Sequence, residues 1–178
     1  MEQQRIITFK RATEHDAQLI YSWFKEPYVA QWWPVPESNE GFLDYFLPRI
    51  RSRDTFPFVV YINDIPFGYI QYYYINRTHE KTGGDWLPHG LPEKTTVGID
   101  QFIGDPQYLH KGYGALMIKE FIAYLHQLES HITTIVLDPS PDNIVAIKCY
   151  EKVGFKHMGI VNAPWGKAVF MRYDIPQH

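Results

Sequence analysis

The sequence predicts one α+β domain, and three observations carry that expectation. The chain has 178 residues with no internal repeat or linker, its strand-like and helix-like stretches intermix, and 45% of residues are hydrophobic against 21% charged. That length suits one domain with a sizeable core and is short for two. The composition is that of a globular chain and not a disordered one. The expected domain spans residues 1–178.

The elements follow in order. Ile6 to Arg11 reads as an opening strand. Thr13 with Asp16 three residues later resembles a capping box, starting a helix through Leu19, Ile20 and Trp23 that Pro27 ends. Tyr28 to Glu37, with Trp32, Trp33, Pro34 and Pro36, reads as a rigid aromatic loop. Ser38 caps a second helix with Phe42, Leu43, Phe46, Leu47 and Ile50 at helical spacing, against which Gly41 and Pro48 weigh. Thr55 to Ile62 and Pro66 to Ile75, joined by Asn63-Asp64, form a hairpin. Asn76 to Lys94, containing Gly83-Gly84-Asp85-Trp86, is a long loop of the kind that carries function.

A fourth strand covers Thr95 to Ile103, and a helix from Gly112 to Leu128 has Leu116, Phe121, Ile122 and Leu125 as its apolar stripe. The β-branched run Ile132 to Leu137 is a buried strand, and a last helix covers Asn143 to Val153. Phe155 to Val161 and Lys167 to Tyr173 close the chain as a hairpin across Pro164-Trp165-Gly166.

Composition excludes several classes. A formal net charge of −3 offers no chain-wide basic field for nucleic acid, leaving only a local patch open. The single cysteine, Cys149, rules out an internal disulfide and any zinc site built on two cysteines. Eight scattered histidines without HExxH spacing give no metal site. The charged opening residues lack the apolar core of a signal peptide, and no apolar run is long enough for a bilayer. A cytoplasmic protein with no membrane partner is expected. Thirteen Tyr and five Trp belong mostly to the core, with a minority free to line a pocket.

Leu109-His110-Lys111-Gly112-Tyr113-Gly114-Ala115 lies between a strand and a helix. Its glycines let backbone approach a ligand, and the helix start supplies unpaired amides at the positive end of the dipole, a seat for pyrophosphate. A plain tight turn would look the same. No GK[ST] follows and the third dinucleotide glycine is missing.

Further on, the run from Asp138 to Phe155 carries Asn143, Ala146 and Tyr150-Glu151-Lys152-Val153-Gly154-Phe155. It resembles motif B of the Gcn5-related N-acetyltransferase (GNAT) superfamily, and the glycine turn resembles its motif A. Within that superfamily the chain is most similar to aminoglycoside 6'-N-acetyltransferases, through Gly98-Ile99-Asp100-Gln101, Asp138-Pro139-Ser140-Pro141, Ile147 to Lys152, Gly68-Tyr69-Ile70-Gln71, Gly84-Asp85-Trp86 and Trp32-Trp33.

The resemblance implies a mixed, mostly antiparallel twisted sheet flanked by helices and splayed between strands 4 and 5, where acetyl-CoA enters. Amides near Phe102 and Ile103 would hold the pantetheine arm and polarise the thioester carbonyl, where negative charge develops during attack. His110, Lys111, Gly112, Tyr113, Gly114 and Ala115 would take the pyrophosphate, and Asn143 would meet the pantetheine. Leu109 stands where the family usually has Arg or Gln, which should tune affinity without abolishing it.

By the same resemblance Asp100 is the general base, and Asp85 and Asp138 hold neighbouring ammonium and hydroxyl groups of a polycationic amine substrate. Asp138 before Pro139 also reads as a helix-entry turn, and Asp85 as a solvated loop residue; Asp100 in an apolar strand is harder to read as structural. Tyr150, two helical turns after Asn143, would protonate the departing thiolate, or else is a core tyrosine. No base adjoins Cys149 in sequence, so an acetyl-cysteine is not expected. Trp33, Trp86, Gln71 and Tyr73 would wall the sugar pocket, although lid packing would look identical.

The implied function is acetyl-CoA-dependent acetylation of an aminoglycoside 6'-amine, an antibiotic-resistance activity, in a ternary complex and without metal, by a monomer or homodimer. A siderophore precursor, a polyamine or a protein N-terminus as acceptor, and a non-catalytic drug- or CoA-binding fold, are the alternatives.

Overall fold

The structure, a computed structural model, describes residues 5–34, 36–76, 87–88 and 90–176. Among the described residues, seven strands make one mixed sheet in the order β1-β2-β3-β4-β5-β7-β6. They are β1 (Ile7–Arg11), β2 (Thr55–Ile62), β3 (Ile65–Tyr74), β4 (Thr96–Ile103), β5 (Thr134–Leu137), β6 (Lys156–Ala163) and β7 (Gly166–Asp174). Among the described residues, five α-helices lie between them: α1 (Ala17–Phe24), α2 (Pro27–Ala30), α3 (Asn39–Ile50), α4 (Tyr113–Leu128) and α5 (Ile144–Val153). The β4–β5 pair is parallel, whereas β1–β2, β5–β7 and β6–β7 are antiparallel. The parallel register runs from Thr96↔Thr134 to Gly98↔Val136, and β4 continues past it to Ile103. This short pairing is the expected splay.

The chain forms two compact units, Met1–Gln71 with Gln101–Met117, and Tyr72–Asp100 with Ile118–His178. In the first, the Asp16 carboxylate accepts from the Thr13 amide at 2.8 Å and its hydroxyl at 2.9 Å, fixing the entry to α1. Phe24 on α1 meets Trp33, Phe42, Tyr45, Tyr69 and Phe102 edge-on. Ser38 caps α3 by accepting from the Gly41 amide at 3.0 Å, and Pro48 is carried inside its last turn. Asn63 and Asp64 take positive φ values of 46° and 65°, the hairpin conformation that short polar residues tolerate.

Two sequence readings are corrected here. The stretch after Pro27 is not loop throughout: Pro27 opens the short helix α2, because its fixed φ suits a first helical position. On α4 the fully buried face is Ala115, Met117, Ile118, Phe121, Ile122 and Leu125; Leu116 is only partly buried, being turned off that face. Most of the long loop, residues 77–86 and 89, lies outside the described residues.

The second unit has its own apolar cluster of Ile75, Leu87, Leu91, Val136 and Phe170, with Tyr73 and Val161 packed on it. Asn143 caps α5 by accepting from the Ala146 amide at 3.2 Å, and Gly154 ends that helix in the left-handed region at φ 118°.

Candidate active site

The parallel pairing of β4 and β5 ends at Gly98↔Val136. Asp100 lies two residues beyond it on β4 and Asp138 directly follows β5, and the charge of Asp100 acts on the Asp138 carboxyl. Antiparallel β7 sets Met171 against Leu137, and one more step along that register brings Phe170 opposite Asp138. Pro139 keeps the backbone of Asp138 extended. The Pro139 carbonyl is tied to β7 by the Val169 amide at 2.8 Å.

Tyr73 completes the group. A Cβ at position 98 would overlap Cζ, Cε2 and the hydroxyl oxygen of Tyr73, so glycine is what leaves room for the phenol beside β4. Its hydroxyl is held well above the usual tyrosine range, first by burial and then by the charges of Asp100 and Asp138. It is therefore a phenol at any working pH. The Asp138 carboxyl is pushed up to about 7, first by burial and then by the charge of Asp100, with its own backbone amide pulling the other way. Three residues named from the sequence, Tyr73, Asp100 and Asp138, are thus brought into one electrostatic group.

The remaining residues of this unit lie nearby in sequence. Asn143 spends its amide oxygen on the cap of α5, and the Tyr150 ring packs at 6.1 Å from that of Phe155. Burial raises the Cys149 thiol above its ordinary range, against the opposing pull of Lys152. That disfavours a thiolate nucleophile, in line with the sequence reading.

In the first unit, the turn before α4 is exposed and bent through left-handed backbone at His110 (φ 59°) and Gly112 (φ 82°). His110, Lys111 and Gly112 are open to solvent, Tyr113 and Gly114 are half-buried, and Ala115 is buried. Tyr113 is fixed between Tyr108, at 5.1 Å, and the Arg5 guanidinium, at 5.2 Å. A sixteen-residue helix begins at Tyr113, so its first amides point outward without intrahelical partners.

Just upstream, the Phe67 carbonyl accepts from two successive amides, Gly104 at 2.8 Å and Asp105 at 3.1 Å, a local bulge that follows Phe102 and Ile103. The Tyr28 hydroxyl donates to the Gly104 carbonyl at 2.7 Å, and burial lifts its pKa to about 12.

Two of the proposed wall residues are more enclosed than expected. Gln71 is buried, its amide oxygen accepting from the Tyr69 hydroxyl at 2.8 Å. Trp33 is half-buried edge-on to Phe24, Tyr69 and Phe102. Asp85 and Trp86 lie outside the described residues. Sequence reasoning missed Gly98 and Phe170 as site-forming residues. The signal for Gly98 was its spacing of two from Asp100 on one strand, which puts both on one face. Among the described residues no cluster of His, Cys, Asp or Glu could hold a metal, and no helix is long and apolar enough to cross a membrane.

A parallel pair that stops short, an exposed glycine turn at a helix start and a carboxylate pair after the pairing ends together describe an acyl-transfer fold. The chain belongs to the acetyltransferase (GNAT) domain family, whose model matches residues 12–163. It is 32% identical over 169 residues to aminoglycoside N(6')-acetyltransferase type 1 of Klebsiella pneumoniae, covering 93% of this chain and 81% of that one. A kanamycin resistance protein of Rhizobium radiobacter is 42% identical over 74 residues, which is 42% of this chain and 68% of that one. Among solved structures, aminoglycoside acetyltransferase AAC(6')-Ib in complex with coenzyme A and kanamycin superposes with a TM-score of 0.82 at 30% identity, covering 95% of each chain.

Proposed function

We propose that the chain transfers the acetyl group of acetyl-CoA to a primary amine, the 6'-amine of an aminoglycoside, by direct attack with both substrates bound. The relatives support this reading, and one observation of this molecule carries it: Asp100 and Asp138, beyond the paired stretch of β4 and β5, both act electrostatically on the Tyr73 hydroxyl, and Asp100 acts on Asp138. An aminoglycoside is a polycation, and paired carboxylates raise its local concentration. The amine arrives as an ammonium and must lose a proton before it attacks. Asp100 accepts that proton, directly or through water, while Asp138 holds a neighbouring ammonium or hydroxyl. Juxtaposing amine and thioester supplies much of the rate.

The residues of the first unit suit acetyl-CoA as second substrate. The exposed turn from His110 to Ala115 offers amides at a helix start to a pyrophosphate, and Lys111 adds charge. Amides near Phe102 and Ile103 polarise the thioester carbonyl. Asn143 uses its oxygen for capping and keeps its NH2 to donate to the pantetheine; the Tyr150 hydroxyl protonates the thiolate. Trp33, Gln71, Asp85 and Trp86 complete the acceptor side. Acetylation takes a positive charge and a donor away from the drug and weakens its hold on ribosomal RNA. We read residues 1–178 as one N-acetyltransferase domain working in the cytoplasm as a monomer or homodimer.

The test is thiol release from acetyl-CoA with kanamycin, a 6'-hydroxyl analogue, spermidine and a peptide as acceptors. Release with kanamycin and little with the hydroxyl analogue is expected. Turnover of spermidine or the peptide alone would move the activity to another acceptor class.

A further inference from the structure

We propose that Tyr28 is a positioning residue for the acetyl end of the coenzyme: its hydroxyl holds the Gly104 carbonyl, and so fixes the end of β4 whose Phe102 and Ile103 amides polarise the thioester oxygen. The proposal deepens the coenzyme reading above and rests on it for what those amides face.

The sheet alone leaves this point loose. The Phe67 carbonyl on β3 accepts from two successive amides, Gly104 at 2.8 Å and Asp105 at 3.1 Å, so regular pairing ends in a bulge directly after Ile103. Position 104 has to be glycine, since a Cβ there would overlap the Trp23 indole. A glycine in a bulge has no side chain of its own to fix its peptide plane. Gly104 is buried, so a carbonyl turned away finds no water, and an unmade bond there is costly. The Tyr28 hydroxyl supplies the bond, donating to the Gly104 oxygen at 2.7 Å across 76 residues of chain.

The piece that carries Tyr28 is itself anchored on β4. Tyr28 lies in α2, where the Val29 carbonyl accepts from the Trp32 amide at 2.9 Å and the Trp33 amide at 3.0 Å. Trp33 meets the Phe102 ring edge-on at 5.3 Å, as Phe24 does, and Tyr69 stacks on the same ring at 5.3 Å. The segment from Trp23 to Trp33 therefore holds both Phe102 and Gly104. Gly68 on β3 brings the backbone close as well: a Cβ there would sit 3.0 Å from the Phe102 oxygen and 3.7 Å from Ile103 Cα. Rings and backbone pin residues 102 and 103, and the Tyr28 hydroxyl pins the peptide that follows.

The bond also polarises what it holds. The Gly104 carbonyl and the Asp105 amide belong to one peptide unit, so the Tyr28 O–H donates into a chain that runs on from the Asp105 N–H to the Phe67 oxygen. Bonds in such a chain strengthen one another. The phenol keeps its proton at working pH, because burial, and then the charges of Glu26 and Asp105, push its pKa up to about 12. Tyr28 acts through the backbone and exchanges no proton with either substrate.

The experiment compares wild type with Tyr28→Phe, which loses one oxygen and keeps the ring. The probe is acetonyl-dethio-CoA labelled with 13C at its ketone, a stable analogue in which CH2 replaces the thioester sulfur. Polarisation by the amides moves the bound ketone resonance downfield, and this displacement is expected to shrink in Tyr28→Phe. The kcat with kanamycin should fall about 2–10-fold, the range of one neutral hydrogen bond, with the acceptor KM near wild type. Labelling with [1-13C]glycine and [15N]aspartate isolates Gly84-Asp85 and Gly104-Asp105, and the Gly104 carbonyl should shift when the hydroxyl is removed. A lowered urea midpoint with kcat and the bound ketone unchanged would make the hydroxyl a structural tie and overturn the proposal, as would a Tyr28→Phe chain that does not fold. Should the analogue not bind wild type, the coenzyme reading falls and the proposal with it. Binding with the same ketone resonance in both proteins sinks the proposal alone.

Discussion

Asp100 and Asp138 have the same side chain but different surroundings, so their loss should leave different kinetic traces. Asp100→Asn removes the base and should lower kcat about 10²–10⁴-fold. Asp138→Ala should chiefly raise the acceptor KM, since it removes a cation contact. Steady-state kinetics with kanamycin over a pH range distinguish the two, and near-normal turnover by Asp100→Asn at every pH would remove its role. Asp100 was legible in the sequence as charge in an apolar strand, whereas Asp138, before Pro139, was picked out only through the family resemblance. The place of Tyr73 was not legible. In the run Tyr72-Tyr73-Tyr74 nothing local says which ring faces which side, and the choice is made by Gly98 on the neighbouring strand. The burial of Gln71 and the hydrogen bond its amide oxygen accepts from Tyr69 were likewise not readable from the strand alone.

The element that couples stability to the proposed chemistry is α5. Asn143 caps it, and its first turn follows the Asp138-Pro139 segment that β7 holds. Asn143→Ala should cost about 1 kcal/mol of stability from the lost cap. Asn143→Asp keeps the capping oxygen and loses the NH2 donor. A denaturant midpoint near wild type together with a raised KM for acetyl-CoA is expected for Asn143→Asp; an unchanged KM would confine this residue to capping. Helices and strands with strong periodicity and marked ends, such as α3 after Ser38 and the hairpin at Asn63-Asp64, were readable because their signals are local. The short helix α2 was hidden, since Pro27 reads equally as a stop for α1 and as a start for the next turn.

Across the whole molecule, the displaced carboxyl ties stability to pH. Asp138 titrates at about 7 when folded and near the ordinary carboxylate value when unfolded. The folded state therefore binds more protons in between. Its contribution to stability is present below about pH 4 and is lost as pH rises through about 7, with a slope of at most about 1.4 kcal/mol per unit. Asp138→Asn should flatten this part of the pH–stability curve and make the protein more stable than wild type above pH 7, read from urea midpoints. An unchanged curve would mean that Asp138 is an ordinary carboxylate. The mixed character of the sheet was legible only through family resemblance and its strand order not at all, because strand pairing joins residues far apart in the chain and periodicity carries no information about neighbours.

The position of the acetyl group on the product tests the central claim most directly. Two-dimensional NMR of kanamycin incubated with the enzyme and acetyl-CoA should show one acetyl group, on the 6' nitrogen. An acetyl group on any other amine, or unmodified kanamycin beside an enzyme that still binds acetyl-CoA, would contradict the account.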